Sequence, residues 1–160
     1  MRVGVPHGDG VLVVHHVFRP DASLQILEVG AMLPMHATAL GKSVLAYLVG
    51  PERDDVLAAG LPKLTGRTVS TAAALGQEPD SLRERGYAVE REEAVLGEVG
   101  FAAPIFGRLG AVVGGIGVVG PTERLTGKQR ETAVASAVGE AARSISRDLG
   151  AQRWPPTLEA

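Results

Sequence analysis

The chain opens on strand-like patterning. Gly10 to Phe18 (GVLVVHHVF) is a run of β-branched apolar residues, and an Asp-Gly pair in His7-Gly8-Asp9-Gly10 supplies the positive φ of a tight hairpin turn back to Arg2-Val3-Gly4-Val5. A second turn at Arg19-Pro20-Asp21 leads into Leu24 to Val29, whose alternation sets Leu24, Ile26 and Glu28 on one face. A three-stranded antiparallel start is therefore predicted. From Pro34 the period lengthens. Ala37, Leu40, Val44 and Leu48 recur at helical spacing until Gly50-Pro51 stops them. Pro51 and Gly60 bracket a short second helix, and Leu61 to Ser70 is a connector. Residues 71–85 have helical composition, but Gly76 and Pro79 interrupt it. An interior proline costs about 3 kcal/mol, so the pattern predicts a shortened helix restarting near Pro79 and ending at Gly86.

The strand period then returns in Tyr87 to Glu90, Glu98 to Phe106 and Ala111 to Val119, the last two joined by a turn at Gly107 to Gly110. A long helix closes the sequence. Thr126 and Gln129 fit a capping box, Val134, Val138, Ala141, Ile145 and Leu149 form one apolar stripe, and Gly150 ends it. Strands, helices, strands and helix describe an α+β domain with a central, mostly antiparallel sheet of about six strands, over residues 1–150. Residues 151–160, with Trp154-Pro155-Pro156, read as a C-terminal tail.

Composition narrows the class. Apolar residues at 45% and charged residues at 21% exclude disorder, collagen-like repeats and coiled coil. A chain of 160 residues suits one domain. Sixteen Lys plus Arg against eighteen Asp plus Glu give a net charge of -2, which argues against a freestanding nucleic-acid binder. Without Cys there is no disulfide, thiolate catalysis or Cys-ligated metal. Pro6 and His7 break the N-terminus before any signal peptide forms, and no window approaches the ~18 apolar residues of a membrane helix. A cytoplasmic protein is the expectation.

Several motifs tempt and fail. Gly115-Ile116-Gly117-Val118-Val119-Gly120 matches the dinucleotide fingerprint, but it lies inside a strand pattern followed by Pro121 instead of opening a helix. Its glycines read better as close-packing positions. Gly41-Lys42-Ser43 resembles the end of a phosphate loop whose first glycine is replaced by His36, so Lys42 reads as a solvated or C-terminally directed charge. His15 and His16 leave a strand on opposite faces, and His7 and His36 have no ligating neighbours, so no metal site is predicted. Glu90-Arg91-Glu92-Glu93 reads as a solvated charged loop. No nucleophile with a plausible base appears, so neither a catalytic set nor a cofactor is expected.

Leu33-Pro34-Met35-His36-Ala37-Thr38-Ala39-Leu40-Gly41-Lys42-Ser43-Val44-Leu45-Ala46-Tyr47-Leu48 resembles the effector-binding, C-terminal domain of the IclR-type bacterial transcription regulators. Four further blocks follow in order: Leu64 to Val69, Arg85 to Glu93, Gly97 with Ala102 to Ile105, and Gly117 to Pro121. The resemblance spans about residues 2–150. It implies a GAF-like fold, a homodimer or dimer of dimers, and DNA contact only through an N-terminal winged helix-turn-helix domain absent from this sequence.

The resemblance also implies a pocket for a small organic carboxylate. Its acid group would meet backbone N–H groups where Thr38, Ala39 and Leu40 start a helix, which free N–H groups and the helix dipole favour. Glu90 stands where the family usually has Asp. Gly100, Gly117 and Val119 stand where relatives that take very small oxo-acids place Cys or Ser. Loss of those donors and the room at the glycines favour an aromatic or medium-chain carboxylate over glyoxylate or pyruvate. Gly117→Leu is expected to fill that space without unfolding the domain. The implied function is ligand sensing without catalysis; the rival is a small enzyme using Glu90 as base on a bound acid.

Overall fold

The computed structural model describes residues 1–17 and 29–155. In chain order its elements are β1 (Arg2–His7), β2 (Gly10–His16), β3 (Met32–Pro34), α1 (Ala39–Leu45), α2 (Pro51–Ala58), α3 (Ala72–Arg85), β4 (Ala88–Arg91), β5 (Glu98–Phe106), β6 (Val112–Pro121), α4 (Thr122–Leu125) and α5 (Lys128–Asp148). The six strands make one sheet in the order β3-β2-β1-β6-β5-β4, every neighbouring pair antiparallel. The α+β expectation with an antiparallel sheet of six strands holds.

Alternating residues on β5 and β6 face opposite layers. Ala102 and Phe106 join the cluster beneath α1, which also holds Val11, Val13, Met35, Val44 and Leu48. Ala103, Ile105 and Ile116 point the other way, against Val138 and Ala142 of α5. The sheet is thus covered on both faces.

Particular expectations need correction. The β1–β2 turn carries its positive φ on Gly8 (57°), not on Gly10, because pairing of His7 with Gly10 makes Gly8 the first of two central residues. The predicted strand over Leu24 to Val29 lies outside the described residues apart from Val29, and the strand next to β2 is β3. With β3 using Met32 to Pro34, the first helix starts at Ala39 rather than near Pro34. Helix α3 runs unbroken through Pro79. Leu75, Pro79 and Leu82 share its buried face, and that burial offsets the lost backbone bond.

The capping box on α5 does not form. Thr122–Leu125 make their own short helix, Thr126 Oγ1 donates to the Thr122 carbonyl (2.6 Å), and Gly127 becomes the N-cap. Leu149 leaves the stripe and is half exposed, and Ser146 holds the buried position one turn from Ala142. The segment after α5 is anchored as far as Trp154. Trp154 Nε1 donates to the Pro104 carbonyl (2.9 Å), and the Arg143 guanidinium lies 5.0 Å from the ring centroid.

Ser146 joins α5 to the sheet where the β5–β6 register shifts, with Val113 of β6 as the extra residue. Its fully buried hydroxyl donates to the Ala142 carbonyl (2.7 Å) and accepts the Phe106 N–H (3.0 Å). Ser146→Ala strands that buried N–H, so the variant is expected to lose about 1–3 kcal/mol of unfolding free energy. Urea denaturation of both chains measures this, and an unchanged midpoint contradicts it.

Candidate functional site

All seven residues of α1 are buried, and the helix reaches that depth because glycines lie beneath it. A Cβ on Gly115 would stand 2.9 Å from Ser43 Oγ and 3.1 Å from Leu40 Cδ1, and one on Gly41 would stand 2.4 Å from Met35 Cα. The fingerprint-like glycines of β6 are therefore packing positions. Beside the start of α1 the sheet leaves a cavity of about 290 Å³. Thr38, Ala39, Leu40, Glu90, Gly100, Gly117 and Val119 all line it.

At the helix start, Thr38 is an extended N-cap whose Oγ1 accepts the Gly41 N–H (3.0 Å), and its carbonyl accepts the Lys42 N–H (2.9 Å). Those two bonds leave the N–H groups of Ala39 and Leu40 as the unused donors of the first turn. Thr38 Oγ1 itself donates to the Pro34 carbonyl (2.9 Å), which ties the cap to the end of β3.

Glu90 is buried on β4, opposite Gly100 of β5. Its Oε1 accepts the N–H groups of Glu93 (2.8 Å) and Ala94 (3.3 Å). Its Oε2 lies 3.1 Å from where a Gly100 Cβ would stand, so the missing side chain opens space against the carboxyl. Burial pushes the Glu90 carboxyl above its ordinary range, against the pull of those two N–H groups.

The charged loop is not solvated as expected. Glu90 and Glu93 are buried, and so is Lys42, whose Nζ pairs with Glu93 Oε2 at 2.5 Å. A lysine on an entirely buried helix has to find a counter-charge, and the acidic loop supplies it. Glu92 takes a positive φ of 57° and pairs with Arg67. Thr65 Oγ1 and Thr68 Oγ1 donate to the carbonyls of Glu92 and Glu93, both at 2.6 Å. The connector between α2 and α3 thus fastens the loop whose Ala94 and Val95 close one side of the cavity.

The two strand glycines differ. A Cβ at Gly117 would stand 2.8 Å from both the Phe101 carbonyl oxygen and Ala102 Cβ, so a side chain there forces the β5–β6 pair apart. Gly117→Leu therefore damages the fold, contrary to the expectation of simple filling. Arg2, Leu33, Leu64, Glu98 and Val118 also line the cavity and were not anticipated. Alternation along β1, with Gly4 turned toward α1, was the available signal for Arg2. His36 is buried with Nε2 at 2.9 Å from the Pro62 carbonyl. Among the described residues, no helix is long and apolar enough to cross a membrane.

A ligand-sized cavity between a glycine-lined sheet and a fully buried helix defines an α+β domain of the small-molecule-binding kind. The family described as bacterial transcriptional regulator IclR C-terminal matches residues 1–147, and the chain belongs to it. It is 47% identical to a glycerol operon regulatory protein of Streptomyces griseus over 154 residues, 95% of this chain and 60% of that protein. The Thermotoga maritima IclR crystal structure superposes with a TM-score of 0.86 at 27% identity, covering 93% of this chain and 60% of that one. An IclR homologue from Microbacterium hydrocarbonoxydans, complexed with 4-hydroxybenzoate, superposes with a TM-score of 0.80 at 25% identity over 92% of this chain and 59% of that one. The chain spans about three-fifths of the length of the curated relatives it matches. These relatives are named as regulators, and the chain is an effector-binding domain, not an enzyme.

Glu90 links the cavity to pH. With its folded pKa raised above the ordinary 4.5, Glu90 holds a proton in the folded chain that the unfolded chain releases earlier. Its contribution to stability is full below the unfolded value and falls as pH rises through the folded one. Glu90→Gln keeps an acceptor for both N–H groups and removes the charge. The variant is expected to gain on the parent chain as pH rises from about 4 to 8. Urea midpoints across that range check it, and a pH-independent difference overturns it.

Proposed function

We propose that this domain senses a small organic carboxylate and passes its occupancy to a DNA-binding, winged helix-turn-helix domain outside this chain. The observation that carries the reading is that one cavity of about 290 Å³ is shared by the helix start, Glu90 and the glycine-bearing strands. The acid group sits on the N–H groups of Ala39 and Leu40, beside Thr38. An aromatic or medium-chain body packs on Val119 and over Gly100 and Gly117, and Glu90 meets a ligand hydroxyl as acceptor, or as donor while protonated. The ligand acts by favouring one arrangement of subunits over another, which requires differential affinity for the two. No cofactor enters this reading, and the protein works in the cytoplasm. The 4-hydroxybenzoate held by the Microbacterium homologue supports an aromatic acid. A glycerol-derived anion is the second reading, favoured by the 47% identity to a regulator named for the glycerol operon.

Calorimetry of the chain with 4-hydroxybenzoate, glycerate and glyoxylate tests the site. At least one of the first two is expected to bind more tightly than glyoxylate. Val119→Phe, at a half-buried wall position, is expected to weaken that binding at least about tenfold, or about 1.4 kcal/mol, without unfolding the chain. Glyoxylate as the tightest ligand refutes the pocket chemistry.

The chain also pairs with a second copy, as a homodimer or within a dimer of dimers. Val14, Val17 and Met32 leave apolar surface exposed around the first strands, and that exposure supports the reading. Sedimentation at about 50 μM is expected to show dimer or larger species. Monomer alone at that concentration contradicts it.

A further inference from the structure

Arg2 brings a cation into a cavity that the carboxyls of Glu90 and Glu98 also line. On the face turned toward α1, β-pairing aligns Arg2, Gly117 and Ala102 in one row and Val119, Gly100 and Glu90 in the next. Neither glycine blocks the space above the sheet. The Arg2 side chain lines the cavity, and its Nε is buried without a hydrogen-bond partner among the described residues. A guanidinium stays charged and offers five donors in a planar fork that suits a carboxylate. A buried donor without an acceptor is costly unless something else fills that role.

We infer that Arg2 is the charge-selecting residue of the effector site, donating Nε–H and a terminal N–H to the same anionic group that the N–H groups of Ala39 and Leu40 receive. The inference rests on the sensing role proposed above. Desolvation lowers the Arg2 pKa, and the carboxylates of Glu98 and Glu90 pull it back, so the cation is kept charged while shielded from water. A ligand carrying both an anion and a hydroxyl complements the cavity: the anion meets Arg2, and the hydroxyl meets Glu90. A neutral molecule of the same shape offers Arg2 at most a neutral acceptor and no counter-charge, which makes the weaker hydrogen bond.

The test pairs ligands that differ in charge: 4-hydroxybenzoate with 4-hydroxybenzamide, and glycerate with glycerol. In calorimetry on the 160-residue chain, an anion is expected to bind at least about tenfold more tightly than its neutral counterpart. Arg2→Met is expected to erase that ratio by weakening the anion alone, and Arg2→Lys to restore part of it. Free Arg2→Met is also expected to melt no lower than the parent chain, whereas a purely structural arginine would lower it. If Arg2→Met does not fold, the parent and Arg2→Lys decide the question by the anion-to-neutral ratio and its loss with added salt. Anions that bind with the ratio unchanged in Arg2→Met, or bind no better than their neutral partners, overturn the role of Arg2 and leave the sensing role standing. Absence of binding by all four probes overturns both.

Discussion

The closeness of α1 to the sheet is the constraint on which the rest of the site depends. A helix normally lies on a sheet at a distance set by the side chains between them. Here Gly4 and Gly115 give up theirs, and Leu40 and Ser43 occupy the space a Cβ would need. The same approach requires Gly41 to pass the backbone of Met35. A helix lowered this far leaves no exposed face, which is why even Lys42 is buried. It also brings the unused N–H groups of Ala39 and Leu40 down onto the edge of a cavity instead of into open water.

The buried charges follow from that depth. Lys42 cannot remain charged on such a helix without a partner, and the partner must arrive from outside it. Glu93 does so because the loop between β4 and β5 folds inward, held by Thr65 and Thr68 on its carbonyls. Once that loop is drawn in, its Glu93 and Ala94 N–H groups point at Glu90 and hold one of its oxygens. The other oxygen is left beside the gap at Gly100. The polarity of the cavity is thus inherited from the packing of the helix above it.

Much of this was legible in the sequence because periodicity reports faces. Strand β5 was bounded to the residue, and α2 was bracketed by Pro51 and Gly60. The ordered family blocks led to Thr38, Ala39, Leu40, Glu90, Gly100, Gly117 and Val119, which the structure gathers around one cavity. What escaped was decided by tertiary contact. Pro79 was read by its intrinsic cost, whereas packing of Leu75 and Leu82 determined the helix. Lys42 and Glu93 were read as solvated because their pairing spans 51 positions of sequence, beyond any local pattern. Gly117 was read as room for a side chain, although the strand pair there approaches too closely to admit one.

Glycine therefore does two different jobs along these strands, and only one of them shapes specificity. At Gly115 and Gly117 the absent side chain is consumed by protein, in the first case by α1 and in the second by the neighbouring strand. Substitution there changes the fold before it changes any ligand. At Gly100 the hypothetical Cβ meets Ala39 Cβ and Glu90 Oε2, both at 3.1 Å, and both belong to the cavity lining. A side chain at that point adjusts the distance between a helix start and a carboxyl, and its Cβ meets the sheet backbone only at an ordinary contact distance, 3.6 Å from the Val118 carbonyl oxygen. Variation that retunes the cavity while preserving the fold has its freedom at Gly100 and Val119, and the rest of the glycine pattern is fixed by the helix it must admit.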